Sequence, residues 1–474
     1  MIHEHPLRIF RYSMKNFWLL IFPLLRGIKT LSLNAQRLYT WIKGAWFDLA
    51  VVFLIIIFGY LQWRFSRIGF ENDCIVHKSG IFVRLSVKIP INNICSVAEE
   101  QPLYLKPFAA SYTYINTGAG EKKGVKLLLS SKNADSLMYR ISGSDMRYCK
   151  IRKSNPASVL VFSFLFSSSI SGAAYMAALF FKGGDVSKSY ISAALNKATV
   201  ETSKAIESFA VSVPETAVTI GILIVAAWFI SFIVNYCRYH NFRLVTDKKV
   251  AEVSCGIFTK RRYRLNIDSI NYTERRRHLL MKMFKAESIS VNCPGYGDSD
   301  RMLPVLIPMK KKKDKFSINR FQRGLYFSVK PRRTSWWRYI WKNVLIIVFL
   351  PIASIVIADF FPIGTELLRF ITFISEIPAF IMLLVNITAL FASGITVNGK
   401  EITAKYTVGY ELRTVIADID SISEIIVSQS LFQKLVSKCD VDIRFNSRTL
   451  QKHKVIGLDA DQVRTLIKLI NYNI

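Results

Sequence analysis

Ile89-Pro90-Ile91-Asn92-Asn93-Ile94 closes a stretch that opens on Gly80-Ile81-Phe82, and both blocks return twice further along the chain. Gly256-Ile257-Phe258 precedes Asn266-Ile267-Asp268-Ser269-Ile270 at the same spacing, and Gly409-Tyr410 precedes Asp418-Ile419-Asp420-Ser421-Ile422 one residue closer. Seven residues past each closing isoleucine stand Gln101, Arg277 and Gln429. Leu103, Leu279 and Leu431 follow two residues on, and Lys106, Lys282 and Lys434 five on. Each copy then enters an alternating run that ends at Asn116, Asn292 or Asn446. So many positions in register mark an internal repeat.

The local chemistry of the repeat is β. In the first copy Cys74 to His77 and Ile81 to Val87 read as strands around a turn at Gly80, where glycine can take the positive φ of a tight hairpin. Residues 112–115 alternate and 125–129 run apolar, as half-buried strands do. The first and third copies close on a helical pattern, at 133–141 and at 459–470, where Val463, Leu466, Ile467 and Ile470 share a face. The second copy runs instead into Lys310-Lys311-Lys312-Lys313.

Between the copies lie apolar runs at 156–181, 213–236, 339–361 and 370–392, with a fifth at 45–63. Each approaches the ~20 residues a helix needs to cross a bilayer. A shorter patch at 17–25, broken by Pro23, reads as a tilted sixth span extended to about residue 33, a re-entrant piece or an interfacial helix, and an even number of spans favours the first. Tryptophans 18, 41, 46, 63, 336, 337 and 341 crowd the ends of these runs, as an interfacial belt predicts. No small-residue cleavage site follows the first patch, so it reads as an uncleaved anchor. The composition agrees: a net charge of +31 coexists with 51% hydrophobic residues and a mean hydropathy of +0.26. Apolar spans separated by basic segments give that combination, whereas a soluble nucleic-acid binder does not.

Lys and Arg outnumber Asp and Glu by 15 to 7 in residues 64–155 and by 26 to 8 in residues 237–342. They balance at 4 to 4 in residues 182–215, which reads as an outer loop. The positive-inside rule therefore predicts that all three repeats face the cytoplasm. The seven cysteines are scattered, without a C-x-x-C pair, and read as reduced thiols.

The strand–Gly–Ile–Phe turn, the Ile89 to Ile94 segment and Gln101-Pro102-Leu103-Tyr104-Leu105-Lys106-Pro107-Phe108 resemble the bacterial pleckstrin-homology (PH)-like domain. The layout is similar to the multi-pass membrane proteins that carry such domains after paired spans, and His5-Pro6-Leu7 before the first patch fits them too. The resemblance implies a partly open β-barrel of seven strands capped by a C-terminal helix, in a bacterial plasma membrane, with no established catalytic residues.

No phosphate-binding glycine loop, zinc-protease helix or nucleophile elbow is present. His3 and His5 read as solvated imidazoles on a mobile terminus, and Glu376 as an acid snorkelling from the last span. The dominant chemical signal is cationic. Lys260, Arg261, Arg262, Arg264 and Lys310, Lys311, Lys312 and Lys313 are candidate lipid-headgroup contacts, each worth ~1 kcal/mol beside an anionic leaflet. Period two places Arg262 and Arg264 on one strand face and Arg261 on the other. The blander role for the same charges is to enforce topology.

The sequence thus reads as membrane helical hairpins at 1–63, 156–236 and 339–392, alternating with cytoplasmic PH-like domains at 64–155, 237–338 and 393–474. The expected function is non-enzymatic: a scaffold or lipid- and partner-binding protein of the bacterial inner membrane. Anionic lipids and a membrane protein are the expected partners; no metal, cofactor or nucleic acid is expected. The alternative is a transport or export subunit with a substrate path through the spans. That path would need polar residues converging between spans, and few are present.

Overall fold

A computed structural model of the chain describes residues 2–16, 46–117 except 82, 125–142, 150–168, 173, 176, 184–207, 215–294 except 248, 305–311, 326–360, 365–446 and 452–473. The sixth apolar patch and Lys312 and Lys313 lie outside these residues.

The first module comprises β1 (Ile2–His3), α1 (Leu7–Asn16), α2 (Trp46–Phe65), β2 (Arg67–Glu71), β3 (Cys74–Ser79), β4 (Leu85–Pro90), β5 (Ile94–Gln101), β6 (Ala110–Thr117), β7 (Val125–Ser130) and α3 (Ser131–Ser142). The second runs through β8 (Lys150–Lys153), α4 (Pro156–Leu165), α5 (Gly184–Glu207), α6 (Glu215–Tyr239), β9 (Arg243–Thr246), β10 (Val250–Cys255), β11 (Lys260–Asn266), β12 (Tyr272–His278), α7 (Leu279–Met283), β13 (Ala286–Asn292) and β14 (Val305–Lys311). The third holds β15 (Tyr326–Val329), α8 (Trp336–Phe360), α9 (Thr365–Ala392), β16 (Gly394–Asn398), β17 (Glu401–Val408), β18 (Glu411–Asp418), β19 (Ile422–Ser428), α10 (Leu431–Leu435), β20 (Lys438–Phe445), β21 (His453–Asp459) and α11 (Ala460–Asn473).

The repeated motif has one structural meaning in all three modules. Ile91–Asn93, Ile267–Ser269 and Ile419–Ser421 form a single 3-10 turn that carries the chain from one sheet to the next. The amide of its first isoleucine donates to the preceding hairpin turn each time, at Asp73, Lys249 or Lys400. Gly256 has φ +104°, and a Cβ there would stand 2.1 Å from the Thr259 carbonyl oxygen. Gly409, in the shorter third turn, meets nothing within 4 Å. Three residues past each repeated lysine, Ala109, Lys285 and Ser437 take left-handed φ values of 47°, 52° and 53°.

The strands form four open sheets rather than the expected partly closed barrels. Their orders are β1-β2-β3-β4, β7-β6-β5-β11-β10-β9-β8, β14-β13-β12-β18-β17-β16-β15 and β19-β20-β21. The reason lies in the pairing of β5 and β12. Each leaves its own module's first sheet and pairs antiparallel with the next module, β5 with β11 and β12 with β18. A strand so occupied cannot curl back to close its own sheet. Each seven-stranded sheet therefore belongs to two modules and uses opposite faces for them: Val97 enters the first core, while Tyr263 and Leu265 of the paired strand enter the second. The strand before each hairpin, β1, β8 or β15, joins the sheet that follows it, so the expected boundaries at 64, 237 and 393 cut through sheets. This also orders the N-terminus: Ile2 pairs with Ile68, and the His5 amide donates to the Leu128 carbonyl at 2.8 Å, in place of the expected mobile tail.

Among the described residues three helices are long and apolar enough to cross a membrane: Val218–Tyr239, Arg333–Phe360 and Ile371–Ala392. Val52–Phe65 and Pro156–Leu165 are shorter apolar helices. The latter begins on an Asn155 cap with Pro156 in the first turn and stops at Phe166; most of the rest of the expected 156–181 span lies outside the described residues. The expected outer loop contains α5, whose Thr199 hydroxyl lies 3.4 Å from that of Thr219 on α6. The hairpins pack onto the modules at their feet. Val159 joins the second core, and Tyr339, Ala389 and Leu390 form a cluster against Leu412 and Ile456. At the chain end, α11 adds Val463, Leu466 and Ile470 to the third core.

Candidate anion site at the foot of the last span

The two places where modules share a sheet differ in the charges they place on one face. At the first, the candidate headgroup arginines meet carboxylates of the preceding module. Arg261 lies 3.3 Å from Glu100, which also accepts from the Tyr263 hydroxyl at 2.9 Å. Arg262 is 2.6 Å from Glu99 and also binds Asp135 of α3. Arg264 is 3.1 Å from Glu252 and donates to the Met138 carbonyl at 2.8 Å. The strand alternation read from sequence appears here directly, with Arg262 and Arg264 turned towards α3 and Arg261 away. Burial pushes the neighbouring Cys255 thiol up to about 11, so it stays protonated. Lys310 is buried 3.9 Å from Glu287, whereas Lys260 and Lys311 are exposed. The sequence-predicted set thus divides: three arginines join modules and two described lysines face solvent.

At the second junction the same structural positions carry different residues. Register places Arg262 opposite Glu99 in the first junction, and Thr414 opposite Arg275 in the second. An acid–base pair has become a cation beside a hydroxyl. Cross-strand neighbours share a face in an antiparallel sheet. The row Arg275, Thr414, Lys405 and Gly394 accordingly lies on one face, beside the row Ser328, Thr396 and Thr403. Above this face is a cavity of about 330 Å³ to which Arg275, Arg277, Lys282, Lys330, Lys405 and Arg413 all contribute. Among the described residues no carboxylate lines it.

These cations differ in their commitments. Arg413 is held at 2.7 Å by Glu411 and 3.3 Å by Glu274, and Arg277 donates through Nε to Glu287 at 3.1 Å. Arg275, Lys282, Lys330 and Lys405 have no ion pair among the described residues. Hydroxyl groups complete the wall, with Ser328 and Thr396 hydrogen-bonded to each other at 3.1 Å. Phe391 and Ala392, the last turn of the span Ile371–Ala392, form its apolar side. Gly394 lets the backbone approach this closely, since a Cβ there would stand 2.7 Å from the Val329 carbonyl oxygen. Convergent cations and hydroxyls suit a multiply charged oxyanion, and the apolar wall suits an attached hydrocarbon chain.

Arg275, Arg277, Lys282 and Lys330 were visible in the sequence as parts of a basic segment; Lys405 and Arg413 were not singled out. Strand register unites these distant positions, and no local pattern announces it. Beside the feet of the hairpins, Phe258, Met283 and Phe284 are exposed on turns and crossovers. The Ile257 amide donates to Cys237 near the end of α6, which places the Gly256 turn at the foot of that span. Glu376 is partly buried in α9, with Oε1 unpartnered among the described residues.

No curated protein matches the sequence. The family described as Bacterial PH domain matches residues 23–144 and 203–319. The first match takes in β2 to β7 and the second β9 to β14, and together they cover just over half of the chain. The third module lies outside both matches, yet it repeats the 3-10 turn, the left-handed residue and the strand order of the other two. With that pattern of strands and those two matches, the chain belongs to the bacterial PH domain family.

Proposed function

We propose that the protein is a non-enzymatic scaffold of the bacterial cell membrane whose PH-like modules lie on the cytoplasmic leaflet and hold an anionic lipid headgroup at the junction of the second and third modules. The observation carrying this reading is the cavity beside Phe391 and Ala392, with six cations and, among the described residues, no carboxylate. Next to a bilayer each cation contributes ~1 kcal/mol towards an anionic headgroup. Exposed Phe258, Met283 and Phe284 near the hairpin feet add apolar contact with the same surface. Lys260 and Lys311, exposed and outside the cavity, supply general attraction to that surface.

Two variants test this on the full-length protein. Arg275→Gln with Lys405→Gln removes two cavity cations that have no ion pair among the described residues, whereas Lys260→Gln with Lys311→Gln removes two exposed cations elsewhere. Protein extracted in mild detergent and analysed by native mass spectrometry should retain anionic phospholipid in the wild type and the second variant, and lose it in the first. Inositol hexakisphosphate and inorganic phosphate, added as soluble competitors, separate recognition of phosphate alone from recognition of a lipid. Equal retention by all three proteins would refute the cavity as the site.

A further inference from the structure

The end sheets of the chain contain four and three strands, and each internal sheet contains seven. Every internal sheet is built from the β1-to-β4 type of one module and the β5-to-β7 type of its predecessor. Among the described residues β4 ends the four-stranded sheet and β19 ends the three-stranded one, so both are edge strands. Exposure follows. Val87 on β4 is 42% exposed, whereas its counterpart Tyr263 on β11 is buried. Val427 on β19 is 42% exposed, whereas its counterparts on β5 and β12 are partners in a ladder. Among the described residues nothing pairs with the outer edge of either strand.

We propose that β19 of one copy pairs antiparallel with β4 of a second copy, joining three strands to four into another seven-stranded sheet. The occupant is specified by the chain itself, because each free edge is the structural counterpart of a strand whose partner is known. Both internal junctions give the same register when mapped onto the repeat. Tyr263 opposite Ala98, and Val415 opposite Glu274, each translate to Val87 opposite Ile426. Arg262 opposite Glu99, and Thr414 opposite Arg275, translate to Ser86 opposite Val427. Lys106 donates to the Ile257 carbonyl of the next module at 2.6 Å, and its counterpart Lys434 would reach Ile81 of the second copy.

Exposed strand edges with apolar side chains are templates for such pairing. β4 carries no inward charge or bulge that would block it; Lys88 is its one charged residue. The internal junctions also join modules that each stand on a hairpin, so the same operation leaves the second copy's hairpins beside the first's. The contact is heterologous, and repetition produces a ring if the rotation closes and a row if it does not.

The test uses full-length chains in membranes, with two affinity tags and a short thiol-reactive crosslinker. Ser86→Cys on one tagged chain and Val427→Cys on the other should give a crosslinked dimer. Pairs of Ser86→Cys with itself, or Val427→Cys with itself, should give only the background of the native cysteines. Arg275→Cys with Thr414→Cys, within one chain, reports that the same pair of positions is within the reagent's reach. Val87→Lys, an exposed edge position, should abolish the mixed crosslink while leaving this internal one intact. Absence of the mixed crosslink while the internal pair reacts overturns the proposal. So does crosslinking of Ser86→Cys only to a protein other than this chain.

Discussion

At His453 the third module has enclosed an imidazole almost completely, with Tyr272 and Phe445 rings 5.0 and 5.2 Å away and the Tyr406 hydroxyl 2.7 Å from Nδ1. Burial, with the Arg413 charge adding to it, lowers its pKa from 6.5 to about 4. Above pH 6.5 the ring is neutral whether the chain is folded or unfolded, and it adds no pH dependence. Below that, the unfolded chain takes up a proton that the folded one refuses. Stability therefore falls between pH 6.5 and 4, by about 3 kcal/mol at the acid end. His453→Gln keeps a polar partner for Tyr406 and removes the titration. Unfolding of both proteins in detergent from pH 8 to 4 should show the wild type losing ground to the variant across that window. A constant difference would mean the ring is accessible to protons. Asp440 shows the opposite balance: burial alone would raise its pKa, but the Gly457 amide at 3.0 Å and Arg338 at 2.9 Å hold it below the usual value. Arg338 begins the span helix α8, so this buried carboxylate ties the membrane helix to the third module.

Among the elements, α11 shows how far local pattern reaches. Val463, Leu466, Ile467 and Ile470 were legible as one helical face, and three of the four are fully buried in the third core. Leu466→Ala in the full-length chain should destabilise this module by ~2–5 kcal/mol, measured by the denaturant midpoint of its unfolding. A change below ~0.5 kcal/mol would mean the helix is undocked. The turns were equally legible, because Gly80 and Gly256 answer a demand for positive φ that acts within a few residues. Strand partnership was not. Arg261 and Arg262 read as headgroup candidates or topology charges, and their partners Glu100 and Glu99 lie in another module, out of reach of any local pattern. Likewise α5 read as a loop: its charges balance, and its packing on α6 is invisible to composition. The same non-local pairing predicts the behaviour of a fragment spanning 238–333. It would expose β11 and β12 without β5 and β18, and light scattering should find it self-associated through those two edges.

For the whole molecule, the strands flanking each hairpin constrain topology more tightly than charge does. β8 pairs with β9, and β15 with β16, so the two ends of each segment between them lie on one side of any membrane that segment crosses. β1 and β2 impose this at the N-terminus. Reporter fusions after residues 150, 330 and 474 should accordingly share one compartment, with the basic excess of residues 64–155 and 237–342 predicting the cytoplasm. A split result would break the sheets as described. The shared sheets bear equally on how such a chain can change its length. Removing residues 150–325 takes out one whole period, from the start of β8 to the residue before β15, and leaves β5 facing a β18 that matches it. Removing half that length would strand a four- or three-membered sheet in the interior. Duplication and loss of coding sequence should thus be tolerated in steps of one full period, joined in front of β8 and β15 rather than at the membrane borders that hydropathy marks out.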